Sequence, residues 1–407
     1  MSSTGSGGHL SCLVALLLMM SMVMSTLPAL DGSYTGVDVP YLGGPSEESR
    51  SSLSKGEVSS RTNAVPTPCI LGNYSDGIFP IGMSSGVLEG QLILSDGYNR
   101  VWDFNTTTNT LDKYVQVNGA PTGVAADPTQ HLIFSADLLD SNVSIINGWN
   151  FSLAGNLPID FGPLDVIYDN ISHQLFVDGS GGLSGYGKVS IINVSSLSVK
   201  QTITVGSYPA GMGIDTNHDR LYIANSDSDN VSVIDGLSDR LITSISVGQY
   251  PSAITYNPSD NEIYVVDDGG NSVSVINDTD NKVIGSFALS VPSGFNILSI
   301  NPTNGDILAL DTDGLSVIDP ASRTTESTVA ISRPFVEYLD RSNGMLYVGG
   351  APSNLYVVSL DGNCPGTGQA SSPSTTYYVV AVSIVVVVAF IGVYALKRSK
   401  RGRRSLS

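Results

Sequence analysis

The chain has 407 residues, only 14% of them charged, and its 37 acidic and 19 basic side chains leave a formal net charge of −18. That balance excludes a nucleic-acid partner, which needs a basic surface. The low charge excludes a coiled coil, and three cysteines exclude a disulfide-dense scaffold.

Residues 1–30 carry no charged side chain. Within them LSCLVALLLMMSMVM (10–24) is the length of a signal-peptide apolar region. Met1–His9 lacks Lys and Arg, so an uncleaved N-terminal anchor stays open as the alternative. Residues 31–65, with SEESRSSLSKGEVSSRTN, have too little apolar area to offset chain entropy and read as a flexible linker.

Residues 66–364 are repetitive. Aligned on Pro80, Pro121, Pro163, Pro209, Pro251, Pro292 and Pro334, seven copies follow at steps of 41, 42, 46, 42, 41 and 42 residues. A period near 42 with four short strands per unit predicts an all-β, seven-bladed β-propeller. After each proline comes a short apolar strand such as Ala210–Ile214, then a turn at Asp127, Asp169, Asp215, Asn257, Asn301 or Asp340, with Gly86 in the first copy. The second strand is apolar and aromatic, as in LYIA (221–224) and IYVV (263–266). The third alternates, as in VSVID (231–235) and VSVIN (273–277), and its last Asp or Asn suits the start of the next turn. The fourth is polar and suits the rim. The Gly-rich stretch 179–187 has no phosphate-loop pattern and reads as a loop lengthening the third copy.

The repeat LYIANSDSDNVSVID, with Tyr222-Ile-Ala-Asn225 as its closest tetrapeptide, resembles the YVTN family of β-propeller repeats of archaeal surface-layer and bacterial exported proteins. The resemblance covers about 66–362 and implies a propeller whose family members include binding modules and a few enzymes.

The last copy has three strands (334–339, 345–350 and 354–360) and needs a fourth from elsewhere. Counting back from Pro80 predicts that Cys69–Asp76 supplies it. Cys69 would then lie beside Cys364 at the seam, Cys12 being in the signal segment, and an extracellular setting permits their disulfide. Closing a loop of nearly 300 residues is worth at most about 5 kcal/mol.

Beyond a stalk at 365–376, YYVVAVSIVVVVAFIGVYAL (377–396) is long enough to span a bilayer as a helix. Six basic residues follow in 397–407, so the positive-inside rule places this tail in the cytoplasm and the propeller outside the cell. Residues 31–376 hold the other 13 basic and all 37 acidic residues, a net of −24. That charge would largely vanish near pH 4, which leaves an acidic habitat and ordinary secretion both open.

Eight N-x-[ST] sequons, at Asn73, Asn105, Asn142, Asn150, Asn170, Asn193, Asn230 and Asn277, suggest a glycosylated exterior with some of them used. Loops between second and third strands are acidic (Asp227, Asp267, Asp268 and Asp311 among them) and share one face with Phe79, Phe161, Tyr208 and Tyr250 beside or near the prolines. One reading is an acidic, aromatic-rimmed mouth for a cation, sugar or basic partner. The other is turn chemistry with aromatics wedged between blades. His131, His173 and His218 fall in the same turn of successive copies and read as surface residues. Asp165, Asn296 and Glu337 lie in innermost strands, where some propeller enzymes hold a metal. Alternation, however, points Asp165 and Glu337 to opposite faces. No GxSxG, HExxH, CxxC or P-loop occurs, and no cofactor is implied. The expectation is a surface-anchored recognition or envelope module without catalysis, its ligand an extracellular protein or glycan. A metal-dependent lactonase- or lyase-like hydrolase is the alternative.

Overall fold

The computed structural model describes residues 67–362 apart from 75–77, 181–184, 291–296 and 351–352. Outside these lie the expected signal or anchor segment, linker, stalk, membrane span and tail, together with Asn296 and Cys364. Among the described residues no helix is long and apolar enough to cross a membrane.

Seven four-stranded antiparallel sheets form the blades of a propeller. Blade 4 is typical, with strands Pro209–Asp215, Arg220–Asn225, Asn230–Asp235 and Arg240–Ser246 hydrogen-bonded in chain order. The second strand, RLYIAN, is buried along almost its whole length, whereas the fourth, RLITSIS, is mostly exposed. The burial gradient follows the repeat from apolar to polar.

The turns form where Asp and Asn end a strand. Asp215 Oδ1 accepts the N–H of Asn217 at 2.8 Å, and Asn277 Oδ1 accepts that of Thr279 at 3.0 Å. These side chains replace a backbone turn bond. The turn after the first strand then needs a left-handed residue, supplied by His131, His173, Asp219 and Asn261 and by Gly305 and Gly344.

Each hydrophobic cluster joins neighbouring blades. One runs from Tyr222 and Val231 of blade 4 to Ile254 and Ile263 of blade 5. Another runs from Val336 and Tyr347 of blade 7 to Leu92 and Phe104 of blade 1. The aromatic position of the second strand is filled by Phe134, Phe176, Tyr222, Tyr264 and Tyr347, all fully buried. Each contributes roughly 1.5–3 kcal/mol through burial. Tyr222 also crosses the joint, its hydroxyl donating to Asn281 Oδ1 of blade 5 at 2.7 Å.

The seam closes as the counting predicts. Strand Cys69–Tyr74 pairs antiparallel with Asn354–Ser359 and completes blade 7. It is poorly anchored, with Ile70 and Leu71 each 37% exposed. Its inward contact is Tyr74, edge-on to Phe104 at 6.0 Å. Gly72 makes room for that ring, since a Cβ there would lie 2.7 Å from the Tyr74 hydroxyl.

The ring thus has two faces. The upper face carries the loops between second and third strands and the entries to the first strands. The lower face carries the other turns. Cys69 pairs with Ser359, so the closing strand begins and the third strand of blade 7 ends on the lower face.

Candidate functional site

The upper face is built on a buried polar layer. At the upper ends of the second strands of blades 1 to 6 lie Ser95, Asp137, Asp178 (two residues before the end of its strand), Asn225, Asp267 and Asp311, all buried. In four blades this residue ties down the third-strand serine. Ser144 Oγ donates to Asp137 at 2.5 Å, Ser274 Oγ to Asp267 at 2.6 Å and Ser316 Oγ to Asp311, while Asn225 Nδ2 donates to Ser232 at 2.9 Å. Burial pushes the Asp137 carboxyl up to about 7, against the pull of Ser144 and Ser135, and also raises Asp267. The structure therefore places Asp267 and Asp311 beneath the face, as hairpin ties.

Asp140, Asp227, Asp229 and Asp313 remain exposed on that face. Burial, then the neighbouring Asp229 charge, raises Asp227. Asp268 is half-buried, accepts Ser252 Oγ at 2.7 Å and is pushed by burial up to about 6.

The aromatics divide. Phe161 is buried, and Phe79 of blade 1 packs on Phe335 of blade 7 at 5.1 Å, so these two wedge the ring. Tyr250 is 55% exposed and Tyr208 half-buried. Both hold φ near +54° directly before a proline, an outlying conformation for a bulky residue. Loop amides fix it: Ser226 N–H donates to the Tyr208 carbonyl at 2.8 Å and Asp268 N–H to that of Tyr250 at 3.1 Å. Ala120 and Arg333 share the conformation at two other blade entries. It is therefore a device of the repeat that in blades 4 and 5 turns out a tyrosine.

Two further tyrosines escape a reading of the sequence. Tyr98 is 51% and Tyr186 61% exposed, in the second-to-third loops of blades 1 and 3. The signal for them is an aromatic beside glycine in a loop, at Gly97-Tyr98 and Gly185-Tyr186. Close by, Trp102 donates its Nε1–H to Asp96 at 3.2 Å and packs on Tyr114 at 4.7 Å.

The axial candidates are separated. Asp165 lies in blade 3, and its N–H donates to Asp178 Oδ1 at 2.8 Å. Burial pushes Asp165 up to about 6, and burial, then the Asp165 charge, raises Asp178 as well. Gly123 of blade 2 gives the side chain room, because a Cβ there would lie 2.3 Å from Asp165 Oδ1. Glu337 lies in blade 7, 4% exposed, with neither carboxylate oxygen hydrogen-bonded. Burial pushes it up to about 8, only partly offset by the nearby Ser299 hydroxyl of blade 6. Ser299 Oγ itself completes no hydrogen bond.

The histidines differ from one another. His131 stacks on Trp149 at 4.1 Å, and His173 Nδ1 meets the Tyr168 hydroxyl at 3.0 Å. Both occupy the left-handed turn position, which in blade 4 belongs to Asp219. His218 stands one place earlier and is drawn inward to Asp215 and Asp278. Of the sequon residues, Asn73, Asn150, Asn170 and Asn193 are exposed, and Asn105, Asn142, Asn230 and Asn277 are half-buried.

No protein-family model matches the chain, and no curated protein is similar enough to count as a relative. The resemblance to YVTN repeats thus rests on the repeat residues alone.

Proposed function

We propose that this chain is a YVTN-type propeller anchored outside the cell by residues 377–396, acting as a recognition or envelope module rather than as a catalyst. The observation that carries the reading is the upper face. Tyr98, Tyr186, Tyr208 and Tyr250 present rings among the exposed carboxylates of Asp140, Asp227, Asp229 and Asp313. A tyrosine offers an apolar ring and a polar tip. With carboxylates beside it, that suits a glycan or the basic side chains of an extracellular protein. The ring begins and ends on the lower face, so an anchor there leaves the upper face turned outward.

The Cys69–Cys364 bond belongs to the same proposal. It is supported by the start of the closing strand at Cys69, on the face where the third strand of blade 7 ends. Exposed Asn73, Asn150, Asn170 and Asn193 are the acceptors best placed for glycans.

The test uses intact cells and the full chain. Added protease should cut the propeller while sparing the tail, and envelope polysaccharide or surface protein should bind wild type better than a Tyr98→Ala/Tyr250→Ala variant. Protection of the propeller, or equal binding by the two proteins, overturns the reading. The hydrolase alternative draws on the buried carboxyls of Asp165 and Glu337. Stoichiometric metal lost on Glu337→Gln, with turnover of a lactone, would establish it instead.

A further inference from the structure

On the lower face, three potential metal ligands from two blades converge. Asp215 ends the first strand of blade 4, His218 lies in the turn that follows, and Asp278 follows the third strand of blade 5. One ligand atom from each lies within 4.8 Å of the other two. His218 Nδ1 is 2.9 Å from Asp215 Oδ2 and 3.4 Å from Asp278 Oδ2. Around an ion with bonds of about 2.1 Å, ligand atoms stand about 3.0 Å apart at right angles and about 3.4 Å apart at tetrahedral angles. His218 Nδ1 therefore already stands at coordination spacing from both carboxylates. The Tyr256 hydroxyl, 3.3 Å from Asp278 Oδ2, adds a neutral oxygen to the group.

Two carboxylates meet at this joint. Asp215 and Asp278 are both fully buried, and a buried carboxylate is costly without a positive partner. Arg220 Nη1 donates to the Asp278 main-chain carbonyl at 2.6 Å but forms no ion pair with either carboxylate. Among the described residues, the ion pairs of both carboxylates are with His218 alone.

The repeat shows that the fold does not require an acid at 278. Gly148, Val194, Gly236 and Pro320 stand at the same place after the third strand in other blades. The Asp278 N–H donates to the Asn261 carbonyl at 3.1 Å, just as Gly148 N–H does to His131 and Gly236 N–H to Asp219. The backbone role is thus met without a side chain. Blade 5 departs from the pattern by adding a carboxylate aimed back at blade 4.

We propose that Asp215, His218 and Asp278 bind one divalent first-row transition metal ion, such as Zn2+, across the joint between blades 4 and 5. An imidazole with two carboxylates suits zinc better than calcium, which prefers six to eight oxygens. His218, with a side chain 38% exposed, provides the entry path, and water completes the coordination. Bound there, the ion ties two blades through side chains that otherwise repel. The site is independent of the recognition face and of the axial carboxylates.

The test uses the full chain in detergent, stripped with a chelator and titrated with Zn2+ by calorimetry. One equivalent should bind, and Zn2+ should raise the Tm. His218→Ala and Asp278→Asn should each weaken binding by at least about 10- to 100-fold, the loss caused even by removing outer partners of ligands. Both should also abolish the visible absorption of the Co2+-loaded protein, while Glu337→Gln leaves binding unchanged. Absence of Zn2+ binding overturns the proposal, as does binding that survives both variants or is lost with Glu337→Gln. Should Asp278→Asn fail to fold, as judged by circular dichroism, His218→Ala at its half-exposed position decides the matter.

Discussion

Replacing Glu337 by Gln should stabilise the propeller at neutral pH and flatten its pH response. Glu337 is 4% exposed with both carboxylate oxygens unpartnered, and burial moves its titration from 4.5 to about 8. An acid raised in this way favours the fold below pH 4.5, where it is protonated in both states. That contribution is lost as pH rises toward 8, because the unfolded chain ionises first. The loss is about 5 kcal/mol in full and about 3 kcal/mol at pH 7, at roughly 1.4 kcal/mol per pH unit. A neutral amide of similar shape carries no such dependence. The variant should match wild type near pH 4.5 and exceed it at pH 7, by on the order of 6 °C in Tm at about 2 °C per kcal/mol. Thermal and urea melts of both proteins from pH 4 to 8 measure this. Parallel profiles would refute the reasoning, since they would mean that the Glu337 carboxylate is solvated or paired in the folded protein. Asp137, Asp165 and Asp268, pushed by burial to about 7, 6 and 6, act with the same sign. Wild type should therefore gain stability between pH 7 and about pH 5.

Asp267→Ala should cost about 1–3 kcal/mol in urea unfolding, because it strips the buried Ser274 hydroxyl of its acceptor. Gly123→Ala should cost about 1–3 kcal/mol, since its Cβ would meet Asp165 Oδ1 at 2.3 Å and Val166 N at 2.8 Å, and the second is backbone. Cys69→Ser should remove the linked peptide from a non-reducing map, lower the Tm and speed amide exchange in 69–74. The strand's own anchor, Tyr74 on Phe104, is slight, and the proposed disulfide would be worth at most about 5 kcal/mol. Unchanged exchange in that segment would mean that main-chain pairing alone holds the seam.

What the sequence determined by itself is the repeating part of the molecule. The proline spacing, the alternation in VSVID and VSVIN and the Asp or Asn at each strand end are local signals. They act within one copy, so seven blades and their turns are legible in the order of residues alone. Even the closing strand at Cys69 can be counted, because its place is fixed by the period. What only the tertiary structure decided is how one copy meets the next and which way each polar residue turns. Asp267 and Asp227 look alike in sequence, yet the first ties a buried serine and the second faces solvent. Tyr98 and Tyr186 join Tyr208 and Tyr250 on one face only after the blades are arranged in a ring. His218 reads as a surface turn residue within its own copy and meets Asp278 because blade 5 packs against blade 4. Strand and turn patterns report neighbours along the chain, whereas burial and charge depend on neighbours across the joint. Pattern periods carry no record of the latter.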